Sequence, residues 1–156
     1  MNKGFYNVPL AMNEPVLSYA PGSPERLELQ AAYDKMWSES IDIPMVINGE
    51  KVSTGNMGRV IPPHDHQHNV GSYHLGDASH VNAAIEASLE AKQDWENMSW
   101  ENRSTIFLKA ADLLAGPYRA RINAATMISQ GKNAFQAEID ASCEMIDFLR
   151  FNVQYV

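Results

Sequence analysis

The sequence has one cysteine, few basic residues and no long apolar run, and each shortage excludes a class of protein. Cys143 has no partner for an internal disulfide, which suits a reducing compartment. The 12 basic residues are scattered and are outnumbered by 19 acidic ones, so we expect no nucleic-acid partner. No stretch approaches the roughly 18 apolar residues of a membrane span, and residues 1–10 lack a signal-peptide core. We therefore expect a cytoplasmic protein with no membrane partner.

The sequence also lacks the glycine pattern that cradles nucleotide phosphates. The glycines at positions 55, 58 and 71 match neither a dinucleotide-binding fingerprint nor a P-loop. We therefore predict no cofactor-binding residue in this chain.

All five histidines lie between positions 64 and 80, which raises the question of a metal site. They are His64, His66, His68, His74 and His80. Alternate histidines on a strand point to one face and can bind zinc through neutral imidazole nitrogens. However, two prolines precede the first three histidines, which indicates a loop, and no cysteine or glutamate completes a recognised ligand spacing. Solvated loop histidines are the simpler interpretation, and metal binding stays open as the alternative.

Turn and cap signals divide the chain into three parts. Residues 1–43 combine a proline-rich extended arm with a first helix, which starts at Ser23 and runs to about residue 40. Residues 44–76 are predicted to form a small antiparallel β-ribbon, because Asn48-Gly49 accepts the positive φ angles of a type I′ hairpin turn. Residues 77–156 are almost entirely helical, so the chain as a whole is mostly α-helical.

Four consecutive helices are predicted in the last part. The first starts at Asp77 and the second at Ser99, since both residue types accept hydrogen bonds from free helical amides. Gly116-Pro117 ends the second helix and opens the third. Gly131 ends the third helix, and Asn133 caps the last one.

The last helix is apolar on two sides. At about 100° per residue, one face carries Phe135, Ile139, Cys143, Ile146, Leu149 and Val153. The opposite face carries Ala137, Ala141, Phe148, Phe151 and Tyr155, with Glu144 among them. A helix that is apolar all round is buried all round. Since the chain stops at Val156 without a capping glycine, we expect it to be the leading part of a larger protein that covers the second face.

The same helix carries a run of carboxylates, Glu138, Asp140, Glu144 and Asp147. A di-iron site would need Glu-x-x-His on partner helices, and this motif is missing. A polar strip between the two apolar faces accounts well for Asp140 and Asp147. It accounts less well for Glu144, whose predicted neighbours are apolar, because a carboxylate on such a surface must be paired or meet a ligand. Periodicity leaves two interpretations of Glu144, a structural ion pair and a ligand contact.

Cys143 is the only candidate for a thiol nucleophile. It lies in the middle of the last helix, on the more apolar face, with no histidine in local reach. A reactive cysteine needs an environment that lowers its pKa. A buried, inert thiol is the interpretation that we favour.

Several segments resemble the 1-pyrroline-5-carboxylate dehydrogenase branch of the aldehyde dehydrogenase family. The segments that carry this resemblance are residues 13–17, 22–26, 83–87, 107–112, 131–132, 136–140 and 144–152. The similarity covers nearly the whole chain. It is strongest across the last helix, whereas the first ten residues and the histidine loop discriminate weakly.

The resemblance implies an α/β fold of which this chain is the N-terminal part, opening the cofactor-binding domain. It also implies an enzyme that oxidises L-glutamate 5-semialdehyde to L-glutamate with NAD in proline degradation, and we expect a homo-oligomer. In this family the nucleophile, the general base and most cofactor contacts come after the segment present here. No catalytic residue is therefore assigned, and Cys143 does not match the nucleophile.

One functional residue carries over from the resemblance. Glu144 is similar to the family glutamate that meets the α-ammonium group of the substrate, and this agrees with the open ligand interpretation above. We expect the 156-residue chain alone to be inactive. A free-standing helical interaction module, which buries its second apolar face against a partner protein, remains the non-enzymatic alternative.

Overall fold

The structure is a computed structural model that describes residues 6–156, so residues 1–5 of the predicted arm lie outside the described part. The helices are α1 (Pro24–Ser38), α2 (Ala78–Asn97), α3 (Trp100–Ala115), α4 (Arg119–Gln130), α5 (Ala134–Ala137) and α6 (Glu144–Tyr155). A π-helical turn, Glu138–Cys143, joins α5 and α6 into one continuous final helix. The strands are β1 (Ile41–Ile43), β2 (Met45–Ile47), β3 (Glu50–Val52), β4 (Met57–Val60) and β5 (Gly71–His74). The prediction of a mostly helical chain with a small β component is confirmed.

The helices begin and end at the predicted capping residues. Ser23 accepts a hydrogen bond from the backbone of Arg26 at the start of α1, and Asn133 accepts one from Gln136 at the start of the final helix. Asp77 accepts two backbone hydrogen bonds at the start of α2. Gly131 ends α4 with φ at 65°, a left-handed conformation that glycine adopts without steric cost.

The β component consists of a hairpin and a separate three-stranded sheet. Strands β2 and β3 pair antiparallel, and Asn48 and Gly49 both have positive φ, as predicted for their turn. The other sheet has the order β1-β5-β4 and is mixed, since β1 runs parallel to β5 while β4 is antiparallel. A Cβ atom on Gly71 would lie 2.2 Å from the carbonyl oxygen of Ile41, so a glycine permits this close approach.

The parallel pair corrects the expectation of a purely antiparallel ribbon. Strand β1 precedes the predicted boundary at residue 43, yet it pairs with β5 on the far side of that boundary. Hydrophobic periodicity did not reveal a strand of only three exposed residues. The division into residues 1–43, 44–76 and 77–156 stays a prediction.

A cluster of buried apolar residues lies where the arm, α1 and α4 meet. Tyr19, Leu29 and Ala124 form its centre, with Tyr19 reaching from the arm. Helix α3 packs against α6 on the other side of the final helix. By contrast, α2 has its apolar stripe in solvent, and Leu89 is 65% exposed. Within residues 6–156, no helix combines the length and the apolar character needed to cross a membrane.

The final helix has two sides of different character. Its inner side faces the arm, α3 and α4, and it buries Glu138, Ser142, Cys143, Ile146 and Val153. Its outer side carries Glu144, Met145, Phe148, Asn152 and Tyr155, all of them exposed. In the described residues no element covers this outer side, so its burial by the rest of a larger protein stays a prediction.

The predicted inner face is wrong at its N-terminal end. Ile139 and Phe135 were assigned to it with Cys143, but both are exposed, and Glu138 is buried in their place. The π-helical turn accommodates one more residue than an α-helical turn. Counting back from Cys143, the inner face therefore reaches Glu138 and not Ile139.

Candidate functional site

Glu138 lies at the centre of the most polar buried region. Its side chain is completely buried, and both carboxylate oxygens accept hydrogen bonds. From the arm, the backbone of Leu17 donates to Oε1 over 2.8 Å and the hydroxyl of Tyr19 donates to Oε2 over 2.7 Å. From α4, Asn123 donates to Oε2 over 2.8 Å, and Arg119 donates to both oxygens. Glu138 therefore ties the arm and α4 to the start of the π-helical turn.

Arg119 extends this arrangement into a chain of ion pairs. Its guanidinium also binds Glu14 and donates to the carbonyl oxygen of Pro15 over 2.7 Å. Arg150, from α6, donates to the other oxygen of Glu14 over 2.6 Å. We call the group that these contacts join the buried ion-pair cluster; it comprises Glu14, Tyr19, Arg119, Asn123, Glu138, Ser142 and Arg150. Its two carboxylates and two guanidinium groups balance in charge.

The pKa shifts of Glu138 and Arg119 favour the charged forms of these two residues. Burial alone would raise the pKa of Glu138, but hydrogen bonds from Arg119, Leu17 and Tyr19 outweigh it and the pKa is lowered. Burial would lower the pKa of Arg119, yet its bonds to Glu138 and Glu14 raise it overall. Burial raises the pKa of Tyr19, and the hydrogen bond to Glu138 is the next largest cause. The pKa shifts of Glu138, Arg119 and Tyr19 all lead away from neutral pH, which indicates a structural role rather than acid–base catalysis for these three residues.

Cys143 lies beside the cluster as a buried thiol. Its Sγ atom is 3.5 Å from Arg119 and 3.7 Å from Glu138. Burial, with the negative charge of Glu138 as the next cause, raises the pKa of Cys143 to about 11. A thiol with this pKa is almost fully protonated at neutral pH, so the interpretation of Cys143 as an inert thiol is supported over that of a nucleophile.

Glu144 occupies the outer side of the final helix. The sequence placed it among apolar neighbours, but the side chain is exposed. Among residues 6–156, no side chain forms a hydrogen bond or an ion pair with its carboxylate. The structural ion pair that we considered for Glu144 is instead made by Glu138. The signal that sequence reasoning missed is the π-helical turn, which brings Glu138 rather than Ile139 to the inner side.

The other acidic residues of the final helix have partners. Asp140 accepts a hydrogen bond from Lys132 over 2.7 Å on the surface. Asp147 accepts one from the side chain of Asn13 and one from the backbone of Glu14, each over 2.7 Å. The predicted polar strip is confirmed for Asp140, whereas Asp147 binds the arm.

The histidines are distributed over separate sites. His64 and His68 both stack against Trp37, and His68 also contacts the Trp37 carbonyl oxygen over 2.7 Å. His66 is exposed. His74 contacts Thr54, and His80 contacts Asp77. In the described part of the chain, no group of three or more potential ligands could hold a metal ion. The metal-site alternative therefore has no structural support.

An open apolar cleft of about 350 Å³ lies between α3 and α6. Aromatic rings line much of it, those of Trp95, Trp100, Phe107 and Phe148. Val153 and Val156 contribute from the end of the final helix. The sequence did not predict this cleft, which continues the apolar outer side of the final helix towards α3.

Comparison with known proteins identifies the relatives of this chain. It is 50% identical over 97% of its length to the Delta-1-pyrroline-5-carboxylate dehydrogenase of Agaricus bisporus, and it spans 28% of that protein. The human mitochondrial enzyme of that name is 47% identical over 92% of this chain, which spans 25% of it. The crystal structure of Delta-pyrroline-5-carboxylate dehydrogenase from Mycobacterium tuberculosis bound with NAD and cobalamin matches with a TM-score of 0.96 and 44% identity. The match covers 99% of this chain and 29% of that one.

The chain therefore spans little more than a quarter of the length of the relatives that it matches. The resemblance noted in the sequence is confirmed, and so is the aldehyde dehydrogenase fold. The family profile named "Aldehyde dehydrogenase family" matches residues 51–156, which is more than half of the chain. On this match, the chain belongs to the aldehyde dehydrogenase family.

Proposed function

We propose that this chain is the N-terminal part of an NAD-dependent dehydrogenase that oxidises L-glutamate 5-semialdehyde to L-glutamate in proline degradation. The observation that carries the proposal is the 50% identity, over 97% of the chain, to a relative named Delta-1-pyrroline-5-carboxylate dehydrogenase. A TM-score of 0.96 to a solved relative supports it, because the same elements have the same arrangement. In this reaction a cysteine thiolate attacks the aldehyde carbon, and a base-activated water then releases the acid.

The residues described here do not supply that chemistry themselves. Cys143 is buried and protonated, so it does not attack an aldehyde. NAD, when bound to the complete enzyme, accepts the hydride. Its phosphates need a glycine-rich turn or free amides at a helix start. The described glycines with positive φ lie instead before α1, in the β2–β3 hairpin and at the end of α4. We propose that this chain does not bind NAD on its own and is inactive alone.

Glu144 is the substrate contact that we propose. Its carboxylate is exposed on the outer side of the final helix, where a ligand can reach it. L-glutamate 5-semialdehyde carries an α-ammonium group, and an ammonium–carboxylate pair is a strong hydrogen bond when water is excluded. Such a contact favours an amino-acid aldehyde over a neutral aldehyde of similar size.

The apolar outer side of the final helix is the surface that we assign to the rest of the enzyme. Phe148 is 56% exposed and Tyr155 is 75% exposed, next to the cleft between α3 and α6. Exposed apolar surface of this kind is typical of an interface. Homo-oligomer formation stays a prediction. A cytoplasmic location also stays a prediction, because the Dictyostelium discoideum and human relatives are named as mitochondrial enzymes.

The test compares the chain with the complete polypeptide that contains it. We expect the complete polypeptide to form NADH with L-glutamate 5-semialdehyde, and the chain of 156 residues to form none. In the complete polypeptide, Glu144→Gln is expected to raise KM for the semialdehyde by roughly 10–100-fold and to leave KM for propanal unchanged. Turnover by the chain alone, or equal changes for the two aldehydes, would contradict the proposal.

The exposed outer side also favours one alternative, a helical interaction module that acts without catalysis. Such a module would bury Phe148 and Tyr155 against a partner protein. Reading the gene beyond residue 156 separates the two. A glycine-rich turn and a later cysteine support the dehydrogenase, whereas a stop codon supports the module.

A further inference from the structure

We propose that the buried ion-pair cluster is a positioning device that sets the direction of Glu144 through the π-helical turn. The inference rests on the proposed function, because it concerns the residue that we assign to the substrate. It adds that residues on the inner side of the final helix determine how its outer side meets the substrate. Glu138, Arg119 and Ser142 are positioning residues in this view, since the structure buries them away from the outer side.

The π-helical turn acts directly on Glu144. The backbone N–H of Glu144 donates to the carbonyl oxygen of Ile139, which is the bond that closes the turn. In an α-helix the same N–H would donate to Asp140, one residue later. That change rotates everything from Glu144 onwards by about 100° relative to Glu138. The carboxylate of Glu144 would then leave its place on the outer side.

The cluster and the arm hold both ends of this turn. At its start, Glu138 binds Leu17 and Tyr19 of the arm. At its end, the hydroxyl of Ser142 donates to Asn123 over 2.6 Å, and Asn123 also binds Glu138. Asn123 thus bonds both to Glu138, the first residue of the turn, and to Ser142, four residues later.

The arm also holds the helix beyond the turn. The backbone N–H of Glu14 donates to the carboxylate of Asp147 in α6, and Arg150 of α6 donates to the carboxylate of Glu14. Arg119 then links Glu14 to Glu138. The contacts before and after the turn are therefore joined through one arm residue. An α-helical register would rotate Asp147 and Arg150 away from Glu14 while Glu138 stayed fixed, so the two sets of bonds are compatible only with the π-helical turn.

The local conformation of the arm indicates that these contacts are strong. Tyr19 has φ at 51°, a left-handed conformation that is uncommon for a large side chain. Such a residue keeps this conformation only when surrounding contacts outweigh the strain. Here the hydroxyl of Tyr19 is bonded to Glu138 and Asn123, and its ring lies in the core with Leu29.

The experiment uses mild variants of the cluster in the complete polypeptide. Ser142→Ala and Tyr19→Phe each remove one hydroxyl and leave the Glu138–Arg119 ion pair intact, so we expect both to fold. We expect each to raise KM for L-glutamate 5-semialdehyde by roughly threefold to tenfold. KM for propanal, which has no ammonium group, is expected to stay unchanged. If the two variants lower only the free energy of unfolding and leave both KM values unchanged, the proposal is overturned.

Two further variants complete the design. Asp140→Asn alters a carboxylate of the same turn that bonds only to Lys132 on the surface, so we expect both KM values to stay as in the wild type. Ser142→Ala added to Glu144→Gln should raise KM no further than Glu144→Gln alone, because Ser142 acts through Glu144. Additive increases in KM from the two changes would contradict this mechanism.

Hydrogen exchange provides a readout that does not depend on activity. We expect the amide of Glu144 to exchange at least tenfold faster in Ser142→Ala than in Asp140→Asn, since the bond to Ile139 weakens. If Glu144→Gln leaves KM unchanged while this exchange rate rises, the substrate assignment fails and the positioning device stands. If Glu144→Gln raises KM but the Ser142 and Tyr19 variants change neither quantity, the inference fails alone.

Discussion

The two sides of the final helix meet their surroundings in opposite ways. On the inner side, even a fully buried charge has its partners within the chain, as the five hydrogen bonds from nitrogen and oxygen donors to Glu138 show. On the outer side, apolar side chains such as Phe148 lie in solvent. The inner side can therefore be explained from this chain alone. The outer side is explained only when a covering surface is added, which is what the proposed enzyme provides.

Two glutamates make this contrast concrete. Glu138 and Glu144 are on the same continuous helix, yet one is completely buried and the other is exposed. A buried carboxylate is tolerated only when it is paired and hydrogen-bonded. An exposed carboxylate needs no partner in the free chain and is available to a ligand. The difference separates a structural role from a binding role without any difference in residue type.

Replacing Glu138 should have the largest effect on stability. Glu138→Ala leaves Arg119 buried with one of its carboxylate partners removed, and breaking a buried ion pair in this way costs about 3–5 kcal/mol. Glu144→Ala is the matched control, and we expect it to change the free energy of unfolding by less than about 0.5 kcal/mol. Urea unfolding of the chain measures both. Equal effects of the two variants would show that the inner and outer sides do not differ as described.

The apolar residues of α6 provide the next comparison. Ile146 is fully buried on the inner side, and Ile146→Ala should lower the free energy of unfolding by about 2–4 kcal/mol through the lost contacts and the cavity left behind. Phe148→Ala removes a larger side chain from the outer side, where it is 56% exposed, and should cost less than about 1 kcal/mol in the chain alone.

The same two variants also test the covering surface. In the complete polypeptide, Phe148→Ala should become more costly, because its surroundings are then apolar. Thermal unfolding of the chain and of the complete polypeptide gives both values. An unchanged cost of Phe148→Ala in the longer protein would mean that the outer side stays in solvent, and the assignment of that side to the rest of the enzyme would be withdrawn.

Local features of the fold could be predicted from the sequence because they depend on neighbouring residues. The caps at Ser23 and Asp77 and the Asn48-Gly49 turn each need only one or two residue types at fixed positions. Non-local features could not. Strand β1 is defined by its parallel pairing with β5, which lies about thirty residues away and leaves no periodicity in the sequence.

The candidate site was predicted only in part for the same reason. The π-helical turn depends on contacts with the arm and α4, whereas the helical projection assumed a constant 100° per residue. The projection therefore placed Ile139 inside and did not include Glu138 in the inner face. The position of Glu144 on a functional surface came from the family resemblance, and its role stays a prediction.

Acid should weaken the inner side of the final helix, because it protonates the buried carboxylate of Glu138. The pKa of Glu138 is lower in the folded chain than in the unfolded one, where it is about 4.3. Its contribution to stability is therefore complete above about pH 4.3 and is lost as the pH falls through the lower, folded pKa. We expect the free energy of unfolding to fall in this range for the wild type. The fall should be smaller for Glu138→Gln, which cannot ionise at this position, and equal slopes for the two proteins would contradict the argument.

The smallest effect is expected for the surface ion pair of the π-helical turn. Asp140 and Lys132 are 2.7 Å apart, but their side chains are 44% and 30% exposed, so water and salt screen their attraction. Asp140→Asn should therefore cost only about 0.2–1 kcal/mol, and less at high salt. Glu138→Ala should show little dependence on salt, since its partners are buried. Urea unfolding at low and high salt compares the two carboxylates of one turn. A cost for Asp140→Asn as large as that for Glu138→Ala would mean that burial does not decide which carboxylate holds the turn.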